Sequence, residues 1–228
     1  MDTLDIQVYL RLIAGVAGTW IGAEFLVRGS ARLALALGLR PLLVGLTVVA
    51  LGTSSPEAVV SFVAATAGSG GIAIGNVLGS NVANIGLILG LVSLVHPMRV
   101  KWEEIRRDVL FMSIATVLAS AAVLSGRLNA FAGGALWVVL VVSVIYGVRS
   151  PAGAKGGQTG ERPTRDPRTL ALALFQSILG LVLLVTAARV MVGSAEQIAR
   201  ALGTDDAIIG ATVVAVGTSI PELATSLV

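Results

Sequence analysis

Thr53, Ser54 and Glu57 stand together in GLTVVALGTSSPEAVVS (residues 45–61), and Thr218, Ser219 and Glu222 recur in the same order in GATVVAVGTSIPELATS (residues 210–226). Both stretches are otherwise almost wholly apolar, and in each a proline, Pro56 or Pro221, directly precedes the glutamate. A proline inside a helix cannot donate to the carbonyl four residues back, and its ring pushes that carbonyl aside, so the first helix should open at Gly52. A carbonyl freed within lipid needs another partner, and a cation is one. Thr53 and Glu57 are four apart and share a helix face, with Ser54 beside them. A carboxylate, two hydroxyls and loosened carbonyls are hard oxygen ligands of the kind that hold Ca²⁺ or Na⁺. A packing kink, with Ser and Thr satisfying the backbone, is the competing reading. A glutamate beside each kink inside an apolar segment favours the ion site.

A third segment carries more oxygen. In GNVLGSNVANIGLILG (residues 75–90), Asn76, Ser80 and Asn84 fall at i, i+4 and i+8 and make one polar stripe. Gly75 with Gly79, and Gly86 with Gly90, form two GxxxG pairs that would let a neighbouring helix backbone come close. Packing accounts for the glycines and for Asn76. Ser80 and Asn84 read as further cation ligands.

The elements that must hold these residues are membrane helices. The chain has 228 residues, of which 55% are hydrophobic and only 13% charged, about half the ~25% charged share of a soluble domain. Its mean hydropathy is +0.91. There is no cysteine, which excludes disulfides and thiolate metal sites. The net charge of +3 is too small to argue for nucleic acid as a partner. Apolar runs at 8–28, 41–67, 72–95, 109–126, 129–148, 169–192 and 207–228 are each near the ~20 residues that a helix needs to cross a bilayer. None shows the alternation of a membrane β-strand. The acidic start, MDTLD, is unlike a signal peptide. The stretch 150–168, rich in Gly, Pro and charge, reads as a mobile loop.

With the N-terminus outside, twelve of the sixteen Lys and Arg residues fall on the inner side, leaving Arg11, Arg127, Arg189 and Arg200 outside. The positive-inside rule therefore favours an outer N-terminus and a cytoplasmic 149–168 loop. The two GTSxPE stretches match at 11 of 17 positions at a constant offset of 165, and GSARLALALG (29–38) echoes GSAEQIARALG (193–203) upstream. Five spans separate the two copies, so the second enters the membrane from the opposite side. That is an inverted-topology repeat, an architecture of secondary transporters with a midplane site.

On GTSSPE, GNVLGSNVANIGLILG and GTSIPE, the chain resembles the calcium/cation antiporter superfamily, in its prokaryotic sodium/calcium exchanger branch. The resemblance implies an all-α integral membrane fold of two inverted repeats of five helices each, with about seven of the ten present. It implies ligand roles for the Ala50 carbonyl, Thr53, Ser54, Glu57, Ser80 and Asn84, and for the Ala215 carbonyl, Thr218, Ser219 and Glu222. The corresponding division is a first repeat over 1–148 (motif 45–90), a loop over 149–168 and the start of a second repeat over 169–228 (motif 210–228). At the offset of 165 a second GNVLGSNVANIG would begin near position 240, so the sequence reads as a C-terminally shortened copy lacking two ligands.

The expected activity is exchange of Ca²⁺ for Na⁺ across the cell (inner) membrane, with the ions and the bilayer as partners and no cofactor. Ca²⁺/H⁺ exchange through protonation of Glu57 and Glu222 is the alternative within transport; a cation channel or a non-transporting scaffold is the alternative outside it. An enzyme is not expected: a serine hydrolase needs a base beside its serine, and the single histidine, His96, sits next to Pro97 at a helix end. Glu24 and Arg28 should pair at i,i+4. Asp205 and Asp206 should cap the second motif helix. RVKWEEIRRD (99–108) should be a solvated inner loop with Trp102 at the interface.

Overall fold

A computed structural model describes residues 5–39, 44–97, 99–126, 128–149 and 166–226. Among them there are helices and no strands, in seven consecutive helical segments. Here α1 is Ile6–Ala36. The second, α2, runs as Gly45–Val49, Ala50–Thr53 and Ser55–Thr66; α3 runs as Gly70–Val82, Ala83–Leu89 and Gly90–Val95. α4 is Trp102–Leu124, α5 Ala130–Arg149 and α6 Pro167–Leu202; α7 runs as Asp206–Ile209, Gly210–Val214, Ala215–Thr218 and Ile220–Ser226. Five of these segments, α1, α3, α4, α5 and α6, are long and apolar enough to cross a membrane as single helices.

Several expected boundaries move. α1 continues to Ala36 instead of ending near residue 28, and the echoing stretch at 193–202 is likewise the end of α6. Ala, Leu and Arg are strong helix formers, and nothing in GSARLALA stops the helix. The Glu24–Arg28 ion pair is present, but inside α1, more than a turn before its end. The segment 102–108 is the first part of α4, not a loop, because Trp, Glu, Ile and Arg carry the helix from Lys101 onward. α6 begins at Pro167: the Asp166 carboxylate accepts the Arg168 and Thr169 N–H groups, and Pro167 takes the position where a missing N–H costs nothing. Of the loop expected at 150–168, residues 167 and 168 belong to α6, and residues 150–165, with Arg40 and Arg127 of the charge count, lie outside the described residues.

The chain forms two compact units. One, Met98–Gly160, holds α4 and α5, which turn at Gly126 (φ +66). Arg107 donates to the Tyr146 carbonyl at 3.2 Å, and Phe111 lies against Tyr146 with ring centroids 6.0 Å apart.

The other unit, Met1–Pro97 with Glu161–Val228, carries both motifs. α1 and α6 lie backbone to backbone. A Cβ on Gly15 would come within 2.9 Å of the Met191 backbone; Gly22 meets Leu184 and Gly29 meets Ser177 in the same way. Partner numbers fall as α1 numbers rise, so the two helices are antiparallel. Gly180, which is Gly15 shifted by 165, meets Leu26, which is Met191 shifted back by 165. The equivalent helices of the two copies therefore run antiparallel, so an axis that relates them crosses the pair, hence lies in the membrane plane, and the repeat is an inverted one. α3 and α7 run parallel: Gly71 faces Asp206, Gly75 faces Ala207 and Gly210, and Gly79 faces Ala211. α2 and α3 form a hairpin through Gly68 (φ +90), so α2 and α7 run in opposite directions. The Ser69 hydroxyl in that turn donates to Glu196 of α6.

Gly79 therefore packs against α7 and not against α2, and the second GxxxG finds no partner: no described atom outside α3 lies within 4 Å of a Cβ on Gly86 or Gly90. Small residues allow a close approach, but whether a helix takes it depends on where the neighbours run.

Candidate cation site

Both motif helices break in the same way. Ser54 (φ −83, ψ 6) and Ser219 (φ −87, ψ 2) end the short segments Ala50–Thr53 and Ala215–Thr218. These dihedrals lie in the bridge region, where the chain leaves the helical ladder for one residue. Pro56 then opens the next segment, at a position that tolerates a missing N–H. One turn earlier each helix widens into a π-turn, Gly45–Val49 and Gly210–Val214, again at an offset of 165. α3 has its own π-stretch, Ala83–Leu89, which carries Asn84. Single π-turns concentrate at functional sites, and no sequence periodicity announces them.

The breaks bring the two motifs together. The Ser219 hydroxyl donates to Glu57 Oε1 at 3.3 Å, a direct bond between the two repeats. Glu222 lies within electrostatic reach of Glu57. Ala215–Thr218 packs against Gly70–Val82 and Ser55–Thr66, and Ile220–Ser226 packs against Ala83–Leu89, so the helical stretches bearing Glu222 and Asn84 adjoin. Ser80 is buried, and its hydroxyl donates to the Val77 carbonyl at 3.3 Å. Glu57 Oε2 and Asn84 Oδ1 are buried acceptors that no described donor reaches. Among the described residues no three His, Cys, Asp or Glu side chains meet. A cation here would rest on two carboxylates supplemented by hydroxyl, carboxamide and carbonyl oxygens, a hard-ligand set.

The expected ligands do not all sit alike. Thr218 and Ser219 are buried, Thr53 and Glu57 are half-buried, and Ser54 is exposed. The carbonyl that Pro56 frees, Gly52, is taken by the Ser55 hydroxyl rather than left for a cation. In the second copy Ile220 replaces that serine. The Ala215 carbonyl already accepts the Ser219 N–H at 3.1 Å and faces the Thr218 hydroxyl at 3.1 Å. Ala50 lies in α2 at the matching position. Asp205 caps α7 through Ala207 N–H at 2.7 Å, as expected.

Sequence reasoning treated Asn76 as packing, yet it joins all three site helices. It is fully buried, and its amide donates to the Glu57 carbonyl at 3.2 Å and to Ser61 Oγ at 2.9 Å. Its Oδ1 accepts from the Thr218 hydroxyl at 3.2 Å. The available signal was its register with Ser80 and Asn84.

Comparison with known proteins places this arrangement. The sodium/calcium exchanger protein family profile matches residues 8–148 and 172–228. The inner membrane protein YrbG of Escherichia coli is 34% identical over 95% of this chain and 68% of its own length. The sodium/calcium exchanger MaX1 of Methanosarcina acetivorans is 28% identical over 94% of this chain and 72% of its own. The solved sodium/calcium exchanger of Methanococcus jannaschii superposes with a TM-score of 0.56 at 31% identity, covering 97% of this chain and 71% of that one. On the family match over most of its length, and on this likeness in sequence and fold, the chain belongs to the sodium/calcium exchanger protein family.

Proposed function

We propose that the protein exchanges Ca²⁺ for Na⁺ across the cell (inner) membrane by alternating access, with Glu57 and Glu222 as the charged ligands. Thr53, Ser54, Ser80, Asn84, Thr218, Ser219 and the carbonyls of Ala50 and Ala215 complete the shell. The observation that carries this reading is the Ser219–Glu57 bond, which joins the two motifs, together with the buried Glu57 Oε2 and Asn84 Oδ1 that no described donor reaches. Two carboxylates neutralise one Ca²⁺ or, less completely, several Na⁺, so the same cluster holds either cargo but not both. Emptying it leaves two charges in a low-dielectric site, which disfavours crossing without cargo. Coupling follows from that penalty.

The N-terminus lies outside and the segment that joins α5 to α6 in the cytoplasm, by the distribution of Lys and Arg. Residues 1–148 form the first repeat and 169–228 begin the second.

The test is Na⁺-gradient-driven Ca²⁺ uptake into vesicles bearing the complete protein. Glu57→Gln keeps the size and one oxygen but removes the charge that offsets Ca²⁺ desolvation, and it should abolish uptake while the protein stays folded. Near wild-type uptake by that variant would make the glutamate a structural residue of the kink. Uptake driven by an imposed pH gradient and not by Na⁺ would establish H⁺ coupling instead.

A further inference from the structure

We propose that Asn76 is a positioning residue that keeps the Ala215 carbonyl available to the transported cation by drawing away the Thr218 hydroxyl proton. The inference rests on the cation-site reading above and adds a role for a side chain outside the ligand set.

Donor and acceptor bookkeeping carries it. The Glu57 carbonyl can only accept, so the Asn76 group facing it at 3.2 Å must be the NH₂. Its other N–H reaches Ser61 Oγ at 2.9 Å, and both amide donors are then in use. That orientation turns Oδ1 toward Thr218, 3.2 Å from its hydroxyl. Thr218 has one hydroxyl proton and three acceptors in reach: the Glu57 carboxylate, which a bound cation would occupy, Asn76 Oδ1, and the Ala215 carbonyl at 3.1 Å. The Ala215 carbonyl has two lone pairs, and the Ser219 N–H takes one of them at 3.1 Å.

The destination of a single proton therefore decides how many ligands α7 offers. Given to Asn76, it leaves both the Thr218 oxygen and the second Ala215 lone pair open to a cation. Given to Ala215, it leaves the Thr218 oxygen alone. Asn76 is fully buried, so water does not compete for its Oδ1. Its hold on the Glu57 backbone also keeps it in register with the carboxylate of the other repeat.

The test is a double-mutant cycle on the half-saturating Ca²⁺ concentration of the complete protein in vesicles. Asn76→Ala should return the proton to Ala215, spend that carbonyl, and raise half-saturation by about tenfold, the worth of one good hydrogen bond or ligand contact to a charge. Thr218→Val has no proton to place, so adding Asn76→Ala to it should change half-saturation by less than about twofold. Thr218→Ser keeps the hydroxyl, and on that background the cost of Asn76→Ala should return in full. Asn76→Asp keeps an acceptor for the hydroxyl, and its effect should be the same with or without Thr218→Val. If Asn76→Ala does not fold, Asn76→Leu with Ser61→Ala fills the volume without stranding the Ser61 hydroxyl, and the same cycle applies. Equal cost of removing Asn76 on the wild-type and Thr218→Val backgrounds would overturn the inference and leave the cation site standing. A wild-type protein that takes up no Ca²⁺ would instead refute the cation-site reading itself.

Discussion

Thr218 and Ser219 in α7 are buried, whereas Thr53 in α2 is half-buried and Ser54 is exposed, although the two motifs match at 11 of 17 positions. The neighbours make the difference. α3 lies along α7 closely enough that a Cβ on Gly210 would come within 2.6 Å of the Ile72 carbonyl, while Gly45, the equivalent in α2, has no such described neighbour within 4 Å. The same local sequence produces the same π-turn and the same serine break in both copies, yet among the described residues α3 packs on the stretch before the break only in α7, whereas in α2 it packs on Ser55–Thr66, beyond the break. Local sequence sets the shape of each half of the site. The adjoining helix sets its depth and its hydrogen-bond partners.

The largest effect that bears on this contrast comes from the contact that encloses α7. Gly79→Leu would drive a side chain into the Ala211 backbone, which cannot yield as a flexible side chain can. Overpacking of this kind costs about 3 kcal/mol or more, and thermal unfolding in detergent should show it as a large fall in Tm or loss of folded protein. An unchanged Tm would mean that α3 does not enclose α7. A smaller effect separates the two serines. Ser219→Ala removes the donor to Glu57 Oε1 and should lower stability by about 1–2 kcal/mol, while Ser54→Ala, at an exposed position, should stay within about 0.5 kcal/mol. Equal losses in a paired unfolding experiment would remove the asymmetry between the copies. Smallest of all, Gly86→Ala meets no described neighbour; it should leave Tm unchanged or raise it slightly, since alanine is favoured over glycine in a helix by up to about 1 kcal/mol. A marked fall would reveal a close helix at the second GxxxG.

The sequence alone determined the features that depend on neighbours a turn away along the chain. Apolar length specified seven helical segments, five of them long and apolar enough to cross a bilayer as single helices, because a bilayer sets the number of residues needed to cross it. Proline marked where each motif helix breaks. The constant offset of 165, with five spans between the copies, specified the inverted repeat, and the antiparallel run of α1 and α6 expresses it in three dimensions. Helix ends were less legible: the start of α4 in WEEIRRD depends on helix propensity, which its charge obscured. Only the tertiary structure decided which helix accepts Gly79, that Ser55 takes the carbonyl freed by Pro56, that Ser219 reaches Glu57 across 162 positions, and that Asn76 reaches Thr218 across 142. Periodicity tells which face of a helix is polar or small, but it carries no information about the helix opposite. Two polar groups far apart in sequence become partners only when packing excludes water and leaves each the other as the nearest available hydrogen-bond partner.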